Sequence, residues 1–201
     1  MQSKTTLTQQ EEHLFRVLSS ARFLQMEGLG NEVAHFIYDY DPTWALEVAQ
    51  AKKRIKTKLD TELGIKVLEI NLYNLCVDLL KSRNVWDRIL KIEPTMDKPD
   101  FLKTLQNMLD PEHHLAPAIK AQIEAESFQI LFLTGIGEMF PFLRSHTVLN
   151  NLQTVVSDKP MLVFFPGRYE VSATQGSALV LFGQLKDDSF YRAKRILDQE
   201  A

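Results

Sequence analysis

The feature that most constrains this chain is an alternation of short apolar runs with longer stretches of helical periodicity. Residues 34–38, 65–70, 128–133 and 161–165 read as strands, and 178–182 as a fifth. The third and fourth runs are apolar on both faces, as a sheet covered by helices requires. Between the runs, Leu14, Val17, Leu18, Ala21 and Leu24 make one helical stripe over 11–25. A second helix is expected over 42–63, with Val48, Ile55 and Leu59 on one face. Others are expected from Leu72 through Leu90, around 101–109, over 111–126, over 145–153 and, closing the chain, over 190–197. Strands alternating with helices predict an α/β fold. The expectation is one domain over 1–201, with a mainly parallel sheet of four to five strands flanked by helices. The stretch 72–126 is too long for one crossover and is expected to form a helical insertion packed on the sheet.

Turn chemistry sets the boundaries. Asp41-Pro42 and Asp110-Pro111 each pair an N-cap with a proline at the first helical position. Gly64 closes the helix before it. Gly28 and Gly30 predict a loop over 26–32, and Pro166-Gly167 is expected to break the fourth strand.

The chain has 201 residues, enough to bury roughly 70% of its unfolded surface without staples. Its 23 basic and 26 acidic residues give a net charge of −3, which offers no whole-molecule grip on nucleic acid. One cysteine, Cys76, excludes a disulfide framework and a cysteine-rich zinc site. The N-terminal residues carry no apolar leader region, and the longest apolar runs fall far below the ~18 residues that span a bilayer. A cytoplasmic protein with no membrane contact is expected.

In a parallel sheet the strand carboxyl ends collect on one edge, where ligands bind. Asp39, Asp41, Asn71, Thr134, Gly135, Gly137, Glu138, Arg168 and Tyr169 would arrive there, with Arg144 and His146 shortly after the third strand. The candidate partner- or ligand-binding set is Asp39, Asp41, Thr134, Arg144, His146, Arg168 and Tyr169. Ordinary capping accounts equally well for Asp39, Asp41 and Thr134. Arg168 and Tyr169 suit a partner contact, and Arg144 suits an internal pair with a carboxylate.

Catalytic motifs are absent. A phosphate-cradling glycine loop is missing after the first strand, where two carboxylates and a proline stand instead. Gly28-Leu29-Gly30 and Gly135-Ile136-Gly137 are short, lack a following Gly-Lys-Ser/Thr, and are weak signals as dinucleotide fingerprints; a turn explains each better. Asp39 and Asp41 match a magnesium site only at low specificity. His113-His114 point about 100° apart on a helix, which suits a solvated start better than a shared metal. His35 reads as structural and Cys76 as a buried inert thiol. No serine sits in a Gly-x-Ser-x-Gly elbow. No enzyme activity, catalytic residue, cofactor or metal is therefore expected. The run Lys52-Lys53-Arg54-Ile55-Lys56-Thr57-Lys58 fans around its helix, so weak or no direct nucleic-acid binding is expected.

An ordered set of phrases runs along the chain. It comprises Gly28-Leu29-Gly30-Asn31-Glu32, Phe36-Ile37-Tyr38-Asp39-Tyr40, and Gly64-Ile65-Lys66-Val67-Leu68-Glu69-Ile70-Asn71-Leu72-Tyr73. Phe132-Leu133-Thr134-Gly135-Ile136-Gly137 and Pro141-Phe142-Leu143-Arg144-Ser145-His146 follow. Phe165-Pro166-Gly167-Arg168-Tyr169 and Leu181-Phe182-Gly183-Gln184-Leu185-Lys186-Asp187-Asp188 complete the set. Together, from about residue 14 to 197, they resemble the BrxB family, small components of bacterial BREX phage-defence systems. The stretch 170–176 is longer than that pattern leads one to expect. The resemblance implies phage exclusion alongside other BREX components: a large ATPase, a DNA methyltransferase and an alkaline-phosphatase-like protein. It implies no nameable enzymatic activity. The leading expectation is a non-catalytic assembly or adaptor subunit. The alternatives are a nucleic-acid-binding accessory protein and a degenerate nucleotide-binding-like domain that senses a ligand.

Overall fold

The computed structural model describes residues 6–27, 34–172, 176–187 and 192–201. The expected loop at Gly28-Leu29-Gly30 lies outside them. The fold is mixed α/β, built on a seven-stranded sheet. Strand β1 (His35–Tyr40) leads through a 3-10 turn (Pro42–Trp44) into α3 (Ala45–Leu63), which crosses to β2 (Val67–Asn71). Helices α4 (Leu72–Ser82), α5 (Trp86–Ile92), α6 (Lys98–Met108) and α7 (Ala116–Ala125) fill the chain between β2 and β3 (Ile130–Thr134). Helix α8 (Ser145–Leu152) then leads to β4 (Met161–Ser172), β5 (Gly176–Leu181), β6 (Leu185–Asp187) and β7 (Lys194–Arg195). Two helices, α1 (Leu7–Ser19) and α2 (Ala21–Leu24), precede the sheet.

The order β2-β3-β4-β1-β7 is parallel throughout. An antiparallel ribbon, β4-β5-β6, extends it. The sheet is therefore mixed, with more strands than the four to five expected. The difference lies in β4. Its first half pairs with β1 and β3, and its second half, from Gly167, pairs with β5. Pro166-Gly167 does not end the strand; it redirects it. Pairing with β3 covers only Met161 to Val163, so the missing N–H of Pro166 leaves no ladder partner stranded on that side. Gly167 has φ 156°, and a Cβ there would stand 2.1 Å from the Val180 carbonyl oxygen. Only glycine lets the two backbones approach so closely.

Side chains alternate across the sheet. Phe36, Tyr38, Phe132 and Phe164 pack with Leu14, Leu18, Ile55 and Leu59 of α1 and α3. Ile37, Leu131, Leu133, Val163 and Phe165 pack on the other face with Cys76 and Leu80 of α4, Ile119 of α7 and Leu149 of α8. The β1-to-β2 connection and the return from β2 towards β4 run in opposite directions across the sheet. Right-handed crossovers therefore place their helices on opposite faces.

Several boundaries differ from expectation. The stripe over 11–25 is two helices, because Ser20 is extended (ψ 144°) and its hydroxyl caps the second. The long helix from Leu72 breaks at Asn84, which adopts φ 56°. The closing helix expected over 190–197 is absent from the described residues 192–197. Lys194–Arg195 instead adds to the free edge of β1, and a 3-10 turn (Ile196–Asp198) follows.

Candidate functional site

The carboxyl ends of the strands do converge on one edge. Asn71 and Thr134 are register partners at the ends of β2 and β3, as Tyr40 and Pro166 are at the ends of β1 and β4. A cleft of about 300 Å³ opens above them, on the α3 face of the sheet. Tyr40, Lys52, Asn71, Thr134, Glu138 and Phe182 supply its polar groups and one wall, and the rest is apolar.

Each part of the cleft has a local cause. Gly135 turns the chain out of β3 with φ 78°, and a Cβ there would meet the Asn71 amide at 2.8 Å. Glycine thus lets the Asn71 side chain lie against the turn, where Oδ1 accepts the Asn74 N–H at 3.0 Å and caps α4. Gly137 leaves room for Pro166 and Phe182, which a Cβ would approach to 2.8 and 3.0 Å. Phe182 sits in the β5–β6 turn with φ 54°, a strained value for a bulky residue, and its N–H donates to the Pro166 carbonyl at 2.8 Å. Lys52 reaches down from α3 to form an ion pair with Glu69. Burial beside this cleft pushes the Tyr40 hydroxyl up to about 12, with Glu138 adding to the shift, so it stays protonated at neutral pH.

The seven sequence-nominated residues divide. Asp39 is buried at the end of β1. Arg195 donates to its two oxygens at 2.6 and 3.0 Å, and the Tyr169 N–H donates to one of them at 3.2 Å. Asp41 is exposed and caps the 3-10 turn through the Thr43 N–H at 2.9 Å and hydroxyl at 2.7 Å. Thr134 is buried, lines the cleft, and its hydroxyl has no hydrogen-bond partner. Arg168 is exposed, 3.3 Å from Glu170. Tyr169 is not a loop residue: it is buried in β4, and its hydroxyl donates to the Ala193 carbonyl at 3.0 Å. Arg144 is exposed and makes no ion pair among the described residues, so the internal pair expected of it belongs to Arg195. His146 is half-buried, with Nε2 3.0 Å from the Thr147 hydroxyl. Of the seven, only Thr134 lines the cleft.

The reactive side chains elsewhere are tied down. His35 is fully buried against the Val156 carbonyl at 3.1 Å, and burial pulls its pKa down to about 4. Burial pushes the Cys76 thiol up to about 12. His113 pairs with Asp110 at 2.8 Å on the surface. Among the described residues, no three His, Cys, Asp or Glu side chains gather as a metal site would require. The basic run is largely spent on neighbours: Lys52 and Lys56 on Glu69, Arg54 on Glu11, and Lys58 over the Phe15 ring at 5.6 Å.

The same edge is rimmed by apolar side chains. Among the described residues, seven large hydrophobic side chains are exposed, and five leave from segments that follow the strand ends. They are Leu46 in the first turn of α3, Tyr73 in the first turn of α4, Phe140 after β3, and Phe182 and Leu185 at the β5–β6 turn. Leu46 is 78% exposed. Sequence reading missed this rim because its members lie in segments far apart in the chain, and only the fold brings those segments to one edge. No described helix is long and apolar enough to cross a membrane.

Comparison with known proteins gives a consistent result. The family model described as "BREX protein BrxB" matches residues 68–196. A protein of that description from Bacillus cereus (strain H3081.97) is 31% identical over 183 residues, covering 90% of this chain and 93% of that protein. Another, from Escherichia coli O9:H4 (strain HS), is 27% identical over 180 residues, covering 90% of this chain and 86% of its own length. No solved structure matches.

Proposed function

This chain belongs to the BREX protein BrxB family, and from that premise we propose that it serves as a non-catalytic assembly subunit of a bacteriophage-exclusion complex. It docks other BREX components through the carboxyl edge of its sheet. The observation that carries this reading is the exposed rim of Leu46, Tyr73, Phe140, Phe182 and Leu185. Apolar and aromatic groups that leave from one edge of the sheet are what an interface core uses. Phe182 strengthens the point: the chain accepts a strained backbone to hold an aromatic ring at the surface. Two of the polar groups nominated for this edge are instead engaged in holding the fold, Asp39 by Arg195 and Tyr169 by Ala193.

The test is affinity capture from cells carrying the intact defence locus. The tagged protein should bring down a component encoded by that locus. Leu46→Ser with Phe182→Ser should lose it while keeping the melting temperature within a few degrees of the parent. Equal recovery by the double variant would refute the edge as the docking surface.

A further inference from the structure

We propose that the cleft above Asn71 and Thr134 is a binding site for an uncharged planar heteroaromatic ring of nucleobase size, in the form of a free base or nucleoside. This goes beyond the assembly role and does not depend on it.

The argument begins with an orphan. Among the described residues only two buried side-chain polar atoms lack a partner, Nε2 of His13 and Oγ1 of Thr134, and of these only Thr134 lines the cleft. Thr134 is 5% exposed. A buried hydroxyl without a partner is costly, so natural proteins rarely keep one unless something completes it. Its register partner Asn71 stands beside it. Asn71 Oδ1 is engaged by the Asn74 N–H, and the amide lies against Gly135, which fixes its orientation. The amide NH₂ therefore remains as a donor next to a hydroxyl that can donate or accept. An amide held by its cap and a neighbouring rotatable hydroxyl together match the edge of a heterocycle.

The walls select a flat, apolar body. Phe182, Pro42, Pro166 and Ile136 line the space beside Phe164, over whose ring Lys52 stands at 6.0 Å, and so apolar a lining suits the body of a flat ring. At about 300 Å³ the cleft stands at the small end of ligand pockets, enough for a ring system. The charges argue against phosphate. Lys52 is committed to Glu69, and Glu138 is exposed at the mouth. The N-terminus of α4 is already capped by Asn71 itself. The site also lies over the strand ends, between connections that leave the sheet on opposite faces, where open α/β sheets hold their ligands.

The test is titration of the ¹⁵N-labelled full chain with a panel of free bases and nucleosides, following the Gly135 and Gly137 amide signals. At least one compound should shift them saturably, at a concentration of about 1 mM or below. Its 5′-monophosphate should bind no more tightly. Thr134→Val, which keeps the shape and removes the hydroxyl, should weaken binding by about threefold to tenfold, the range of one net hydrogen bond. Should that variant not fold, Ala49→Phe, which fills the cleft from an exposed position on α3, should abolish the shifts in a protein with an unchanged melting curve. The proposal is overturned if no member of the panel shifts those amides. It is equally overturned if the monophosphate binds more than tenfold tighter, or if a folded Thr134→Val or Ala49→Phe protein binds as the parent does.

Discussion

At the scale of single residues, the pair that matters most is Asp39 and Arg195, separated by 156 positions in the chain. The Asp39 side chain is 3% exposed and that of Arg195 is 41% exposed. Removing Arg195 leaves a buried carboxylate alone, which costs about 3–5 kcal/mol in a fully buried pair. Solvent at the guanidinium lowers the expectation for Arg195→Ala to about 1–3 kcal/mol, read by urea denaturation. Arg168→Ala should stay within about 0.5 kcal/mol of the parent, because both Arg168 and Glu170 are exposed. His35 adds a pH dependence. Its folded pKa of about 4 lies below the ordinary value of 6.5, so the unfolded chain binds the proton more readily between the two. Stability from this group is full above about pH 6.5 and falls as pH drops towards 4, with a slope of up to about 1.4 kcal/mol per unit. The histidine's share of that slope should vanish in His35→Gln, measured by melting curves from pH 4 to 7.

Among the secondary elements, β4 decides the architecture, and Gly167 decides β4. A Cβ at that position cannot fit 2.1 Å from a backbone oxygen, so Gly167→Ala should destabilise by more than about 3 kcal/mol or prevent folding. Circular dichroism melts check this directly. What the sequence announced and what it concealed follow from range. The strand cores near Ile37, Ile70, Leu131 and Val163, and the Asp41, Asp110 and Gly64 boundaries, were legible because alternation and capping act over a few residues. Breaks at Ser20 and Asn84 were hidden because apolar periodicity continues across both. The tail was misread for the opposite reason. Residues 190–197 carry a helical spacing, but the free edge of β1 and the buried Asp39 carboxylate make a strand at Lys194–Arg195 the better partner. Pro166-Gly167 signals a break, and only the presence of β5 opposite turns that break into a redirection. At the candidate site, Thr134 and Asn71 were expected at the strand ends. Tyr169 was not expected to be buried, because its partner Ala193 lies far along the chain.

On the scale of the whole molecule, the charges and the apolar rim point the same way. Within the basic run of α3, Lys52 and Lys56 share Glu69 and Arg54 pairs with Glu11, and the net charge of the whole chain is −3. Any retention on duplex DNA should therefore disappear between about 50 and 200 mM salt, followed by fluorescence anisotropy. Assembly through the strand-end edge is the central claim, and it bears on a surface built from four separate segments of chain. The most direct measurement is the affinity of the purified protein for the BREX component it captures, compared with that of Phe182→Ser combined with Leu46→Ser. The account predicts at least a tenfold loss, about 1.4 kcal/mol or more, with an unchanged melting temperature. Equal affinity in the folded double variant would contradict it.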